Sequence, residues 1–411
     1  MSPGALADVV VVDFGQVMAG PYCTRLLAEL GAQVIKVEPP GGEVVRHRPP
    51  LRGGRSRYFG QLNAGKRSIV LDLRRREGRD AALALVRRAD VVVENFKPGV
   101  MARLGLDYAA CRAVNPSIVY CSISGYGHSD AGQSQAAIAP IIHARSGYDL
   151  AVAGYQTESS EPPATGVFVA DVLGGALAMG GILAALHRRT ATGEGSHVDI
   201  ALTDALLSLL VQELQGAQVT GQESAAPPYR PVRVTDGHVM VGIVTDRNFH
   251  ALTSVLDRPD LIHDPRFAAS TARRANLDEL HRIVSAWAAE RDGDDVERRM
   301  LAAGVPCTRY RSVADQLDDP TLWSRGTLRT AHDGSGTFTV AASPIRLATS
   351  AGAPAPAPDG AFEVHDLGAD TNDVLATVAG YDAARIDDLL RLGVAEPAPE
   401  PRSDSAGGFP S

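Results

Sequence analysis

The chain has 411 residues, too many for one hydrophobic core, so about two domains are expected. Its hydrophobic content of 45% and charged content of 21% are those of a soluble globular protein, and a net charge of −8 argues against a general nucleic-acid binder. The four cysteines (Cys23, Cys111, Cys121, Cys307) are scattered without a C-x-x-C pair, which argues against a disulfide frame or a metal cage and suits a reducing cytoplasm.

The first 125 residues alternate strand and helix patterns. Asp8–Val9–Val10–Val11–Val12–Asp13–Phe14 is solidly apolar, as buried parallel strands are. Pro21 opens a helix that Gly31 closes. Further strands are expected over 33–38, 68–73, 90–95 and 117–123, with an amphipathic helix over 77–88. Strands separated by helices predict βαβ units and an α/β fold with a Rossmann-like, doubly wound parallel sheet. A glycine-rich helix is expected to run to about Thr190, then a strand over 196–201 and a helix over 203–220. At 224–228 the composition turns linker-like. A hairpin turning at Asp236–Gly237 follows, then helices around 246–256 and 277–291.

The expected domains are a large one from 1–224, a small α+β one from 225–325, and a C-terminal part, 326–395, that returns to the large domain. Residues 351–358 read as a Pro/Ala linker, and 396–411 as a disordered tail. No signal peptide and no membrane-spanning segment is expected, because the stretch 172–186 is short and rich in glycine.

Asp171 is the most informative residue. It stands alone between Gly166–Val167–Phe168–Val169–Ala170 and a run of small apolar residues, where first-turn N–H groups stabilise negative charge. A helix N-cap explains such a position equally well. No G-x-G-x-x-G follows the first strand, so NAD is disfavoured, and no metal-ligand spacing occurs. The pairs Gly174–Gly175 and Gly180–Gly181 are read as close helix packing. Arg74 and Lys97 each follow a strand, where doubly wound sheets bind ligands, and are candidates for a phosphorylated ligand. Arg87 and Arg88 read as a solvated helix face. His143 is a candidate general base or a satisfied structural histidine, and Cys307 reads as a small buried residue.

Several segments together resemble one family. They are Val12–Asp13–Phe14 with Ala19–Gly20–Pro21, the stretch 30–38, Asn63–Ala64–Gly65–Lys66–Arg67–Ser68–Ile69, Val93–Glu94–Asn95–Phe96–Lys97–Pro98–Gly99, Ser124–Gly125–Tyr126–Gly127, the stretch 171–186, Thr192–Gly193–Glu194–Gly195 and Gly304–Val305–Pro306–Cys307. In this order they resemble the family III CoA-transferases, the formyl-CoA transferase and CaiB/BaiF group that also includes α-methylacyl-CoA racemases. The resemblance implies an interlocked homodimer acting on acyl-CoA and a carboxylic acid, with coenzyme A as a substrate. It implies CoA contacts from Val17, Met18, Ala19, Arg74, Asn95, Phe96, Lys97 and Arg103, and a catalytic role for Asp171. Carboxylate attack on the thioester, through aspartyl anhydride and aspartyl-CoA intermediates, is the chemistry expected of such a residue. His143, Arg145 and Tyr148 are candidate substrate-pocket residues.

Two departures stand out. Some transferases carry glutamine where Met18 stands, and a glycine-rich flap that this chain lacks after Pro227. The racemases pair the aspartate with histidine in a Ser-Gly-His-Asp context, where this chain reads Ser146–Gly147–Tyr148–Asp149. An epimerase using Asp171 as acid/base and a non-catalytic CoA-thioester binder are the alternatives.

Overall fold

A computed structural model describes residues 4–128, 135, 137–156, 161–219, 229–348 and 360–397. The stretches 224–228 and 351–358, and the expected tail beyond its first two residues, lie outside them. The chain divides into two compact units. One is built from the described parts of Met1–Ala153, Glu158–Gln215 and Thr321–Ser411, the other from those of Gly154–Thr157 and Gly216–Pro320.

The first unit is organised by a mostly parallel sheet. In chain order its leading elements are β1 (Val10–Asp13), α1 (Ala19–Glu29), β2 (Gln33–Glu38), α2 (Arg57–Asn63), β3 (Arg67–Leu71), α3 (Arg76–Val86), β4 (Val91–Glu94) and β5 (Val119–Ser124). There follow α4 (Ala139–Ser146), α5 (Tyr148–Gly154), α6 (Val169–Thr192), β6 (Ser196–Ala201) and α7 (Leu202–Leu209). The helix expected over 203–220 breaks at Leu210, and Val211–Gly216 forms a separate short helix.

In the second unit, β7 (Pro231–Val234) and β8 (Gly237–Val241) form the expected hairpin, with α8 (Asp246–Val255), α9 (Leu277–Ala288), α10 (Gly293–Ala302) and β9 (Cys307–Arg309) after it. Its core gathers Val232, Val239, Phe249, Phe267, Leu280 and Val296.

The chain then adds β10 (Leu328–Asp333) and β11 (Gly336–Ala341), an antiparallel pair, followed by α11 (Thr371–Thr377), α12 (Ala383–Arg391) and β12 (Ala395–Glu396). Glu396, which the sequence reading places in the tail, pairs with Val70 and closes the sheet edge.

Among the described residues the sheet runs β12-β3-β2-β1-β4-β5-β6, parallel except for β12. Successive side chains alternate between its faces. Val12, Ile35, Ile69 and Val92 pack with residues of α3, α11 and α12, while Val11, Val34, Val91 and Val119 pack with α1 and α6. The order runs outward from β1 in both directions, so β1 and β4 flank the topological switch point, where such sheets open a crevice at their carboxyl ends.

Helix α6 is the crossover between β5 and β6. It is long and apolar enough to span a membrane by length and composition alone. In the fold one face packs on α1, α7 and the sheet, which explains why glycine recurs there. A Cβ at Gly175 would stand 2.6 Å from the Ala19 carbonyl oxygen, one at Gly174 2.3 Å from Leu202, and one at Gly181 2.7 Å from Val198. Gly180 faces open space.

Candidate active site

Two loops meet at the switch point. After β1 the chain turns so sharply that Val17 adopts φ 63°, left-handed backbone costing about 1–3 kcal/mol for a β-branched residue. Asn95, just past β4, pins the turn from both sides. Its Oδ1 accepts the Gln16 N–H at 2.7 Å, and its Nδ2 donates to the Gln16 carbonyl at 2.9 Å. Glu43 accepts the Val17 N–H at 3.2 Å, and the Lys36 ammonium donates to the Gly15 carbonyl at 2.9 Å. Four hydrogen bonds, most of them to charged or fixed partners, outweigh the strain of one residue.

Beneath the turn lies a buried charge network. Asp13 accepts from the Gly15 N–H at 2.8 Å, from Thr24 Oγ1 at 2.7 Å and from Lys66 Nζ at 2.9 Å. Lys66 also donates to the Pro21 carbonyl and to Asn63 Oδ1. Burial pushes the Asp13 carboxyl up, but the charges of Lys66 and Lys36 and the hydrogen bonds to it prevail and hold it below the usual range. The sequence shows an acid closing a strand and a lysine in a polar loop. It does not show that they meet, because 53 residues separate them.

Asp171 sits beside this turn. The apolar run 166–170, read as strand or turn, becomes the entry to α6, which starts at Val169. Asp171 is therefore the third helical residue and not the N-cap; the cap position is Phe168, which offers no side-chain acceptor. Asp171 lines a cleft of about 530 Å³ together with Ala19, Asn95, Phe96, Lys97, Tyr126 and Leu202, among others. Burial pushes its carboxyl up to about 6, with a backbone hydrogen bond pulling the other way. Near neutral pH such a group is ionised and poorly solvated, the state that makes a carboxylate a good nucleophile.

The other residues singled out from sequence divide. Ala19, Asn95, Phe96 and Lys97 line the cleft with Asp171. Met18 caps α1, and Val17 is exposed on the turn. Arg74 projects from the end of β3 into solvent, its side chain 82% exposed and paired with Asp72 at 2.8 Å. Arg103 is an exposed residue of the short helix Val100–Leu104. Neither arginine is among the residues lining the cleft.

Arg145 stacks over the ring of Tyr126, 5.1 Å from its centroid, at the cleft wall. His143 is wholly buried, and Tyr148 packs against it with ring centroids 5.3 Å apart. The N–H of Ala170 donates to His143 Nε2 at 3.1 Å. Burial lowers the basicity of His143, with the charge of Asp149 opposing.

Sequence reading missed Tyr58. Burial raises its phenol, and the negative charge of Asp171 adds to the shift, which places the two side chains in each other's field. It lies on α2, more than a hundred residues before Asp171, and no local pattern signals it.

The chain matches the CoA-transferase family III over residues 6–361. It is 39% identical over 367 residues to the succinyl-CoA:mesaconate CoA-transferase of Haloarcula hispanica, covering 84% of this chain and 90% of that one. It is 33% identical to the succinyl-CoA–D-citramalate CoA-transferase of Chloroflexus aurantiacus, over 80% and 84% of the two chains. The crystal structure of a CaiB/BaiF family protein from Brucella suis superposes with a TM-score of 0.79 at 31% identity, covering 92% of this chain and all of that one. Fold and relatives agree, and the chain belongs to the family III CoA-transferases.

Proposed function

We propose that the enzyme moves CoA between two carboxylic acids by covalent catalysis on Asp171. The observation that carries this reading is the Asp171 carboxylate, raised to about 6 by burial, in the wall of a cleft at the switch point. Asp171 attacks the thioester carbonyl, and the carbon–sulfur bond breaks. This leaves an acyl-aspartyl anhydride and CoA thiolate. The thiolate attacks the aspartyl carbonyl, releases the first acid and forms an aspartyl-CoA thioester. The acceptor carboxylate then attacks that thioester and expels the thiolate. The thiolate takes the acceptor's acyl carbon from the second anhydride, which restores the Asp171 carboxylate.

Lys97, Asn95, Phe96, Ala19 and the turn at Val17–Met18 are the proposed CoA contacts. Arg74 and Arg103 lie outside the cleft, and their proposed role is confined to the distal phosphates. Tyr148 and Arg145 are proposed for the acyl side. The relatives' printed substrates, succinyl-CoA with mesaconate or D-citramalate, support dicarboxylic acids as the acids exchanged here.

The proposed assembly is a homodimer, supported by the exposed apolar side chains of α6, α7 and their flanks, Val167, Val172, Leu177, Leu209 and Val211. A cytoplasmic setting is consistent with the free cysteines. The epimerase reading draws no support from the geometry, because His143 Nε2 already accepts an amide N–H and Tyr148 stands where that reading needs histidine.

The test is exchange between succinyl-CoA and a panel of dicarboxylates, read by mass spectrometry. Asp171→Ala is expected to abolish exchange, and borohydride added during turnover is expected to reduce an acyl adduct at position 171 of the wild type. Sustained exchange by the alanine variant would overturn the reading.

A further inference from the structure

His143, on α4, packs against the start of α6, and the polar atoms around it are unevenly satisfied. Its Nε2 accepts the N–H of Ala170, the residue before Asp171. A neutral imidazole has one donor and one acceptor nitrogen, so the proton resides on Nδ1. That Nδ1 is buried and has no hydrogen-bond partner. Oδ1 of Asp149 is in the same condition, and the charge of Asp149 acts on the His143 ring. Both side chains are more than nine-tenths buried. A donor without an acceptor thus faces the field of an acceptor without a donor, on the consecutive helices α4 and α5.

A buried polar group left unpaired is destabilising, and a single water bridging the two atoms removes both penalties. The other end of the ring has an equally specific task. The first N–H groups of a helix lack intrahelical partners, and Phe168 supplies no cap for α6. His143 provides that cap from another helix.

We propose that Asp149 and His143 form a positioning relay for Asp171. Asp149 takes the Nδ1–H hydrogen bond, directly or through one buried water. The ring is thereby fixed as an acceptor at Nε2, and Nε2 holds the Ala170 amide so that the first turn of α6 keeps the Asp171 carboxylate aimed into the cleft. This inference rests on Asp171 being the nucleophile, for which small displacements are costly. His143 acts through the helix and touches no substrate.

The test joins spectroscopy with rescue. In the full-length protein labelled with 15N-histidine, His143 is expected as the neutral Nδ1–H tautomer at pH 7.5, assigned by its loss in His143→Gln. An Nε2–H tautomer or a charged ring would overturn the proposal, and the loss of the signal in His143→Leu gives the same assignment should His143→Gln fail to fold. His143→Gln, whose amide oxygen accepts and whose nitrogen donates, is expected to keep kcat within about threefold. His143→Leu is expected to lose about tenfold or more in kcat with KM for the thioester unchanged. Wild-type kcat in His143→Leu would overturn the proposal as well. An active Asp171→Ala variant would instead remove the nucleophile reading and leave the tautomer result standing.

Discussion

Gly175 and Ala19 touch backbone to backbone: a Cβ on Gly175 would stand 2.6 Å from the Ala19 carbonyl oxygen. This approach lets the first turn of α6 reach the strained turn at Val17. Alanine at 175 gains about 1 kcal/mol in helix propensity. It loses about 1–3 kcal/mol to overpacking, at the upper end here because the atom it meets is main chain and cannot rotate away. Gly175→Ala is therefore expected to lower the urea midpoint at unchanged m-value and to lower kcat, since any outward shift of α6 carries Asp171 with it. Stability and kcat equal to wild type would show that the two helices yield without consequence.

On the proposed mechanism Asp171 must be ionised to attack, and burial pushes its carboxyl up to about 6. The rate constant kcat/KM is expected to be level above about pH 7 and to fall tenfold per pH below about 6. A carboxyl at its ordinary value would keep the rate level down to about pH 4. A profile measured with a donor that does not itself titrate in this range decides between them.

Much of the fold was legible because parallel strands are continuous apolar runs. Val10–Asp13 and Val91–Glu94 lie within the expected spans. Gly174, Gly175 and Gly181 of α6 were legible as packing, since a small residue recurring inside an apolar helix leaves room for a neighbour, whereas Gly180, read the same way, faces open space. The cleft was legible where its residues follow strand ends, as Asn95, Phe96 and Lys97 do, and at Asp171, a lone acid in an apolar run. Arg74 follows a strand end too, yet it lies outside the cleft, paired with its neighbour Asp72. Lys66, Glu43 and Tyr58 escaped notice because their partners are far along the chain, and only tertiary contact defines what they do. His143 was ambiguous for a similar reason: whether a histidine is a base or a cap depends on who donates to it.

Lys66 is the counter-ion of a buried carboxylate, which makes it a sharp test of the scaffold. Lys66→Met keeps the length of the side chain and takes away the ammonium that hydrogen-bonds Asp13, leaving only the field of Lys36. Breaking a buried pair from one side costs about 3–5 kcal/mol. The variant is expected to lose stability on that scale in urea titrations, and to lose activity, because Asp13 also holds the Gly15 N–H at the start of the turn. A loss below about 1 kcal/mol would mean that the network is not what holds the turn in place.

Asp171 itself is expected to be a burden on stability. Its carboxyl rises from 3.8 to about 6 on folding, so the native state holds the proton more tightly than the unfolded chain. As pH climbs from about 4 to about 6 the unfolded chain ionises first, and the wild type loses stability through this window. The interval corresponds to at most about 3 kcal/mol, less where the cleft admits water. Asp171→Asn removes the charge and keeps the shape. It is expected to be more stable than the wild type by about 1–3 kcal/mol at pH 7.5, with the advantage shrinking to nothing below about pH 4, while exchange activity is lost. Urea midpoints for both proteins at pH 4 and pH 7.5 give the comparison directly. A variant no more stable than wild type at pH 7.5 would place Asp171 in an environment as well solvated as the surface, where neither its elevated basicity nor its nucleophilic role has a physical cause.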